Sequence, residues 1–147
     1  MQLTRQTEYA IRMLLELAGL PEGAVLSSKI ISERQDIPED FLKKTVQLLA
    51  LSGLVTTQRG TQGGVRLAKK ADQINLADIM AAIEGPLAIN PCLAPGYICA
   101  NCQTCPVHPV LVRAQEAMLE VLSQETVADL LAKSSQPKNT GEPKNRR

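Results

Sequence analysis

Two short β-prone runs, Leu54-Val55-Thr56-Thr57 and Val65-Arg66-Leu67, flank the turn-rich stretch Arg59-Gly60-Thr61-Gln62-Gly63-Gly64. Such runs around a glycine-rich turn read as a β-hairpin. What precedes the hairpin narrows the fold further. Ile11, Leu14, Leu15 and Ala18 keep helical spacing, widened by Ala10, Met13 and Leu17, which predicts a helix from about Thr4 to Ala18. Gly19, Pro21 and Gly23 end it. Ser27 or Ser28 can cap a short second helix through Arg34, because a serine oxygen accepts from the free N–H groups of the first turn. Asp36-Ile37-Pro38 makes a turn. Pro38 suits the first position of a third helix, with Glu39 and Asp40 at its positive end and Gly53 at its left-handed C-terminal stop. Helix, helix, turn, helix, hairpin is the order of a winged helix-turn-helix, whose later helix enters the major groove of DNA.

The third helix carries two faces. Leu42, Val46 and Leu49 point one way, with Phe41 beside them, while Asp40, Lys43, Lys44 and Gln47 form a polar stripe at i, i+3, i+4 and i+7. Residues 43–70 hold Lys43, Lys44, Arg59, Arg66, Lys69 and Lys70 and no acid. Residues 71–133 reverse the sign, with Asp72, Asp78, Glu84, Glu116, Glu120, Glu125 and Asp129 against Arg113 and Lys133. The formal total of +1 conceals this asymmetry, which is more informative than net charge. A basic front half meets a polyanion. Its cations release counterions from duplex phosphate, Gln47 or a lysine can reach base edges, and Arg59 before a flexible turn can reach the backbone or a minor groove. Asp40 is the exception, facing phosphate repulsion unless it accepts from a cytosine amino group.

The rest of the chain predicts a fourth helix from Leu76 to Glu84, opened by an Asn75/Asp78 capping box and stopped by Gly85-Pro86. Pro109 opens a long helix to about Gln124, with Val110, Ala114, Ala117 and Val121 at 4-3-4 spacing, joined by Leu111, Met118 and Leu122. Thr126 caps a last helix to Lys133. Residues 134–147 have no apolar side chain able to pack and are expected to be disordered. The aromatics are only Tyr9, Phe41 and Tyr97, too few for single-strand stacking platforms. No apolar run approaches a membrane span, and the polar start lacks a signal-peptide core, so no membrane partner and a cytoplasmic, reducing location are expected.

All four cysteines fall in one segment, Cys92, Cys99, Cys102 and Cys105, followed by the only histidine, His108. The spacing is C-x6-C-x2-C-x2-C-x2-H. Soft thiolates select zinc or iron–sulfur clusters. Three cysteines and His108 suit tetrahedral zinc. A cluster takes mostly thiolates, with histidine possible on one iron. A redox disulfide or free loop thiols are the plainer readings. No nucleophile–base pair is present, and the glycine turn lacks the lysine and strand–helix context of a P-loop, so neither an enzyme nor a small-molecule substrate is expected.

LTRQTEYAIRMLLELA, ISERQDIPEDFLKKTVQLLALSGLV, RGTQGGVRLAK and the cysteine loop together resemble the IscR/NsrR-type winged-helix regulators, without obvious gaps to about residue 90 and less closely to about 133. The resemblance implies a mostly α fold, with a winged helix-turn-helix DNA-binding domain over 1–75. Over 76–133 it implies a cysteine-rich cluster loop and a long dimerisation helix. It also implies homodimers, palindromic double-stranded operators and an iron–sulfur cluster, 2Fe-2S favoured over 4Fe-4S. Carried across residue by residue, the ligands are Cys92, Cys99, Cys105 and His108. Cys102 is extra to the usual trio and is an alternate ligand. Glu8 occupies the region from which some relatives draw an acidic ligand in the partner subunit. Arg59 matches the family's wing arginine. Lys43 and Lys44 stand where IscR has a glutamate–glutamine pair, so operator preference does not transfer. The expected function is regulation of transcription by iron–sulfur cluster status, directed at cluster-biogenesis genes. The alternatives are a nitric-oxide or redox-sensing repressor, and a DNA-binding protein with structural zinc.

Overall fold

The computed structural model describes residues 3–135. The segment expected to be a disordered tail lies outside them, apart from Ser134 and Ser135. The architecture is mostly α, with a two-stranded wing. α1 (Arg5–Ala18) starts at an N-cap threonine, Thr4, whose side chain accepts from Thr7 N. α2 (Ser28–Gln35) is capped by Ser27, settling the choice between the two serines. Asp36 adopts a left-handed backbone at φ 51° and turns the chain into α3 (Glu39–Leu51). Pro38 is the N-cap of α3, one position earlier than expected, with Glu39 first. Ser52 and Gly53 (φ 74°) close it, a backbone that glycine adopts without a Cβ penalty.

β1 (Val55–Gln58) and β2 (Gly64–Leu67) pair antiparallel, Val55 opposite Leu67 and Gln58 opposite Gly64. Sequence reasoning missed the wing's third contact. Leu26 N donates to Val65 O at 3.0 Å and Val65 N to Leu26 O at 2.8 Å, so the stretch before α2 edges the hairpin. This approach requires Gly64: a Cβ there would lie 2.3 Å from the Leu26 carbonyl oxygen.

α4 (Leu76–Glu84) begins with the expected capping box, Asn75 and Asp78 exchanging hydrogen bonds. α5 (His108–Gln124) starts one residue before Pro109. α6 (Val127–Ser134) has its own capping box, Thr126 with Asp129, and ends one residue later than expected.

One apolar cluster builds the body. Ala10, Met13 and Leu14 of α1 meet Ile31 of α2, Leu42 and Leu49 of α3, Val55 and Val65 of the wing, Ile79 of α4 and Val127 of α6, all buried. Burying a side chain of this size stabilises by about 1.5–3 kcal/mol. α5 differs, for none of its residues is fully buried. Leu111, Met118 and Leu122 are half-covered, and α5 packs on α4. The 4-3-4 stripe of Val110, Ala114, Ala117 and Val121 is exposed throughout.

Candidate nucleic-acid interface and cysteine loop

Leu42, Val46 and Leu49 turn into the core, which points Asp40, Lys43, Lys44 and Gln47 outward on α3. Neither lysine pairs with a carboxylate among the described residues, whose two ion pairs are Arg34–Glu16 and Lys133–Glu125. Unpaired cations on an exposed helix are available to phosphate. Arg59 is exposed just beyond β1, at the tip of the wing. Arg66 faces outward from β2, its Nε donating to Thr56 Oγ1 at 3.0 Å. Helix and wing thus present cations on separate elements fixed to one core.

Phe41 departs from expectation. It is about half exposed, outside the core, and meets the Tyr9 ring edge-on at a centroid distance of 6.2 Å. Tyr9 is buried, and the Arg12 guanidinium lies over its ring, 5.9 Å from the centroid. These contacts join α1 to the start of α3. Tyr9 and Phe41 are two of the three aromatics of the chain, the signal that a reader could have followed.

The cysteines sit between α4 and α5, on a segment with one short turn of tight helix over Pro91–Leu93. Cys92, Cys99, Cys102 and Cys105 are all half-buried and free of disulfides. Ile89 N donates to Gln115 Oε1 of α5 at 3.0 Å, and Asn90 Nδ2 lies 3.1 Å from Cys92 Sγ. Beyond these, residues 95–106 make only hydrogen bonds of their own turns among the described residues, such as Cys105 N to Asn101 O at 2.8 Å. Among the described residues, no three cysteine, histidine or carboxylate side chains converge as metal ligands. The expected ligand set therefore shares a loop and a helix start without being drawn together.

The donor chemistry nonetheless fits a soft metal centre: thiols half-open to solvent, on the segment that leads into the only histidine. His108, the first residue of α5, keeps Nδ1 buried without a hydrogen-bond partner among the described residues. Buried polar atoms are ordinarily paired, and ligation would satisfy this one. Glu8 is exposed on the first turn of α1. Nearby, Glu84 Oε1 at the end of α4 accepts from Thr4 N at 3.1 Å, Thr4 Oγ1 at 3.1 Å and Thr7 Oγ1 at 2.5 Å. The Thr7 hydroxyl, with Thr4 assisting, holds the Glu84 carboxyl below its ordinary pKa. Sequence reasoning missed this bond. Its only trace is an acid directly before Gly85-Pro86.

A helix-turn-helix with a docked basic wing defines the winged-helix architecture, and the family match assigns it to the transcription regulators. The chain belongs to the Rrf2 family, described as "Iron-dependent Transcriptional regulator", whose profile matches residues 3–133. It is 39% identical over 133 residues to Protein aau3 of Rhizobium meliloti strain 1021, covering 89% of this chain and 85% of that protein. It is 39% identical over 132 residues to the HTH-type transcriptional regulator NsrR of Geobacillus kaustophilus strain HTA426, covering 89% and 90%. Among solved structures it superposes on IscR of T. potens with a TM-score of 0.72, at 27% identity over 92% of this chain and 89% of that one. CymR (YrzC), the global cysteine regulator of B. subtilis, gives 0.73, at 26% identity over 90% and 98%. No described helix is long and apolar enough to cross a membrane.

Proposed function

We propose that this Rrf2 regulator binds palindromic double-stranded operators as a homodimer and senses iron–sulfur cluster status, controlling cluster-biogenesis genes. In this reading residues 1–75 read DNA, and residues 76–133 hold the cluster and the dimer helix. The proposed ligands are Cys92, Cys99, Cys105 and His108, with Cys102 in reserve and a 2Fe-2S cluster favoured over 4Fe-4S. One observation carries the reading. In an Rrf2 chain, all four cysteines lie on one loop, and among the described residues the hydrogen bonds of 95–106 stay within its own turns, none reaching the helical body. Ligation would supply the missing cross-links.

When bound, the cluster supplies a centre that iron supply, oxidants or nitric oxide can add to or remove. The chain does the rest. Three thiolates and a neutral imidazole would hold the cluster and close the loop; ligation would release the thiol protons and weaken in acid. The loop is rooted on α4, and α4 packs against α1 and α3. A closed loop thereby biases where the recognition helix stands. A ligand shifts an equilibrium only by its differential affinity for the two states. Loaded and empty protein must then differ in DNA affinity, and DNA alters cluster retention by the same factor.

A second reading replaces His108 with Glu8 of a partner subunit, as in nitric-oxide or redox-sensing relatives. It is favoured by the exposure of Glu8 and the absence of an ion pair to it among the described residues. Anaerobic purification followed by iron and acid-labile sulfide assay tests the proposal, with sulfide in equal amount to iron expected. Zinc without sulfide would sink it and leave a structural zinc site. Resonance Raman of protein with nitrogen-15 histidine separates the two ligand sets.

A further inference from the structure

The three hydrogen bonds on Glu84 join residues 77 and 80 positions apart. Glu84 is the last residue of α4, and Gly85-Pro86 opens the cysteine loop. Its partners, Thr4 and Thr7, are the cap and first turn of α1. Thr7 is fully buried, so its hydroxyl roots the anchor in the core, although Glu84 and Thr4 themselves face solvent. Two residues further along α1, Tyr9 leans edge-on against Phe41. Phe41 directly follows Asp40 and precedes Lys43 on α3, within the helix that carries the polar stripe. One short stretch of α1 is therefore bound at one end to the root of the loop and at the other to the recognition helix.

We propose that Glu84 is a positioning residue that ties the root of the cysteine loop to the recognition helix, through Thr7 and then Tyr9 against Phe41. The mechanical link stands on these contacts. Its use as a signal path rests on the cluster reading above. The carboxylate gathers donors that would otherwise be free to turn elsewhere: the Thr4 amide and two hydroxyls. Without it, Thr4 still caps α1, but the first turn loses its hydrogen bonds to α4 and keeps only apolar packing. Tyr9 then gains freedom, and Phe41 loses a fixed neighbour. Spatial adjacency alone does not prove coupling, so the test must read the far end of the link.

Phe41 is the only phenylalanine. Growth with 4-fluorophenylalanine therefore places one fluorine reporter on the recognition helix of the full chain. Metal-free wild type, Glu84→Ala, Glu84→Gln and Thr7→Val are compared by fluorine NMR, with circular dichroism as the folding control. Glu84→Ala should displace or split the resonance, and Thr7→Val should displace it the same way. Glu84→Gln keeps an acceptor oxygen and should overlay wild type. Anaerobic loading with ferric iron and sulfide should then move the signal in wild type and Glu84→Gln, a movement lost in Glu84→Ala. Lowered melting temperatures with an unmoved resonance would mean ordinary structural support and overturn the proposal. If Glu84→Ala does not fold, an unmoved Thr7→Val signal overturns it by itself. If wild type takes up no iron and sulfide, the cluster reading fails, while the metal-free spectra still decide the link.

Discussion

Lys43 and Lys44 put two cations on the exposed face of α3 with no carboxylate partner among the described residues. A lysine that touches phosphate releases condensed counterions, and its loss flattens the salt dependence of binding by about 0.9 per contact in the log–log slope. Lys43→Ala should lower DNA affinity and flatten that slope, measured by fluorescence anisotropy across a salt series. An unchanged slope with affinity lost on only some sequences would make Lys43 a reader of bases. Glu84 offers a different residue-scale effect. Its pKa is lowered in the folded protein, first by the Thr7 hydroxyl. The folded state thus favours the ionised carboxylate. That stabilisation is present above the unfolded value, near 4.5, and fades as pH falls through the lower folded value. Much of the side chain is solvated, so the effect is modest. Thermal melts of wild type and Glu84→Gln should converge as the pH drops below the carboxylate range and differ most above it. Parallel curves at all pH values would remove the carboxylate charge from the account.

At the scale of elements, the wing is held more firmly than a two-stranded hairpin alone would be, since isolated hairpins are marginal in water. Leu26 supplies the added edge. Gly64→Ala would drive a Cβ into the Leu26 carbonyl, 2.3 Å away, and backbone cannot move aside as a side-chain tip can. Overpacking of this kind costs about 1–3 kcal/mol. The variant should melt lower and bind DNA less well, because Arg59 rides on the undocked wing. Equal affinity at equal stability would show that Arg59 does not need its docking. The helices themselves were legible because each carries its own punctuation: Thr4, Ser27, Asn75 and Thr126 cap, and Gly53 stops. The Leu26 edge was not, because a single bridge between distant residues leaves no periodic mark. Phe41 misled for a related reason. A large aromatic beside a buried stripe belongs to the core on pattern alone, and only tertiary placement reveals it as a contact with Tyr9. The clustering of the thiols on one loop was legible, since residue types and spacing survive in sequence. Its geometry was not, because turns of a few residues can be arranged in many ways at similar energy.

For the molecule as a whole, the apolar core and the cysteine loop are separate places. The buried core contains no cysteine and not His108. Cys92→Ala should therefore lose iron and sulfide yet keep a cooperative melt, and a variant that unfolds would make the loop part of the core. Assembly follows the same division. Val110, Ala114, Ala117 and Val121 line one side of α5, and the valines remain 57% and 62% exposed. The opposite side of α5, with Leu111 and Met118 half-covered, already packs toward the body. A symmetric pairing would bury the open stripe, with each alanine allowing close approach of its twin. It would also fix the spacing of two recognition helices, which a palindromic site demands. Ala117→Glu would place two carboxylates together at such an interface while leaving the isolated subunit's core untouched. Sedimentation should then give monomers where wild type gives dimers. Affinity for a two-half-site duplex should fall steeply, because the second half-site is no longer met at the high effective concentration that linkage provides. Binding to a single half-site should barely change. A variant that still sediments as a dimer would place the interface on another face, and the spacing argument would have to be rebuilt there.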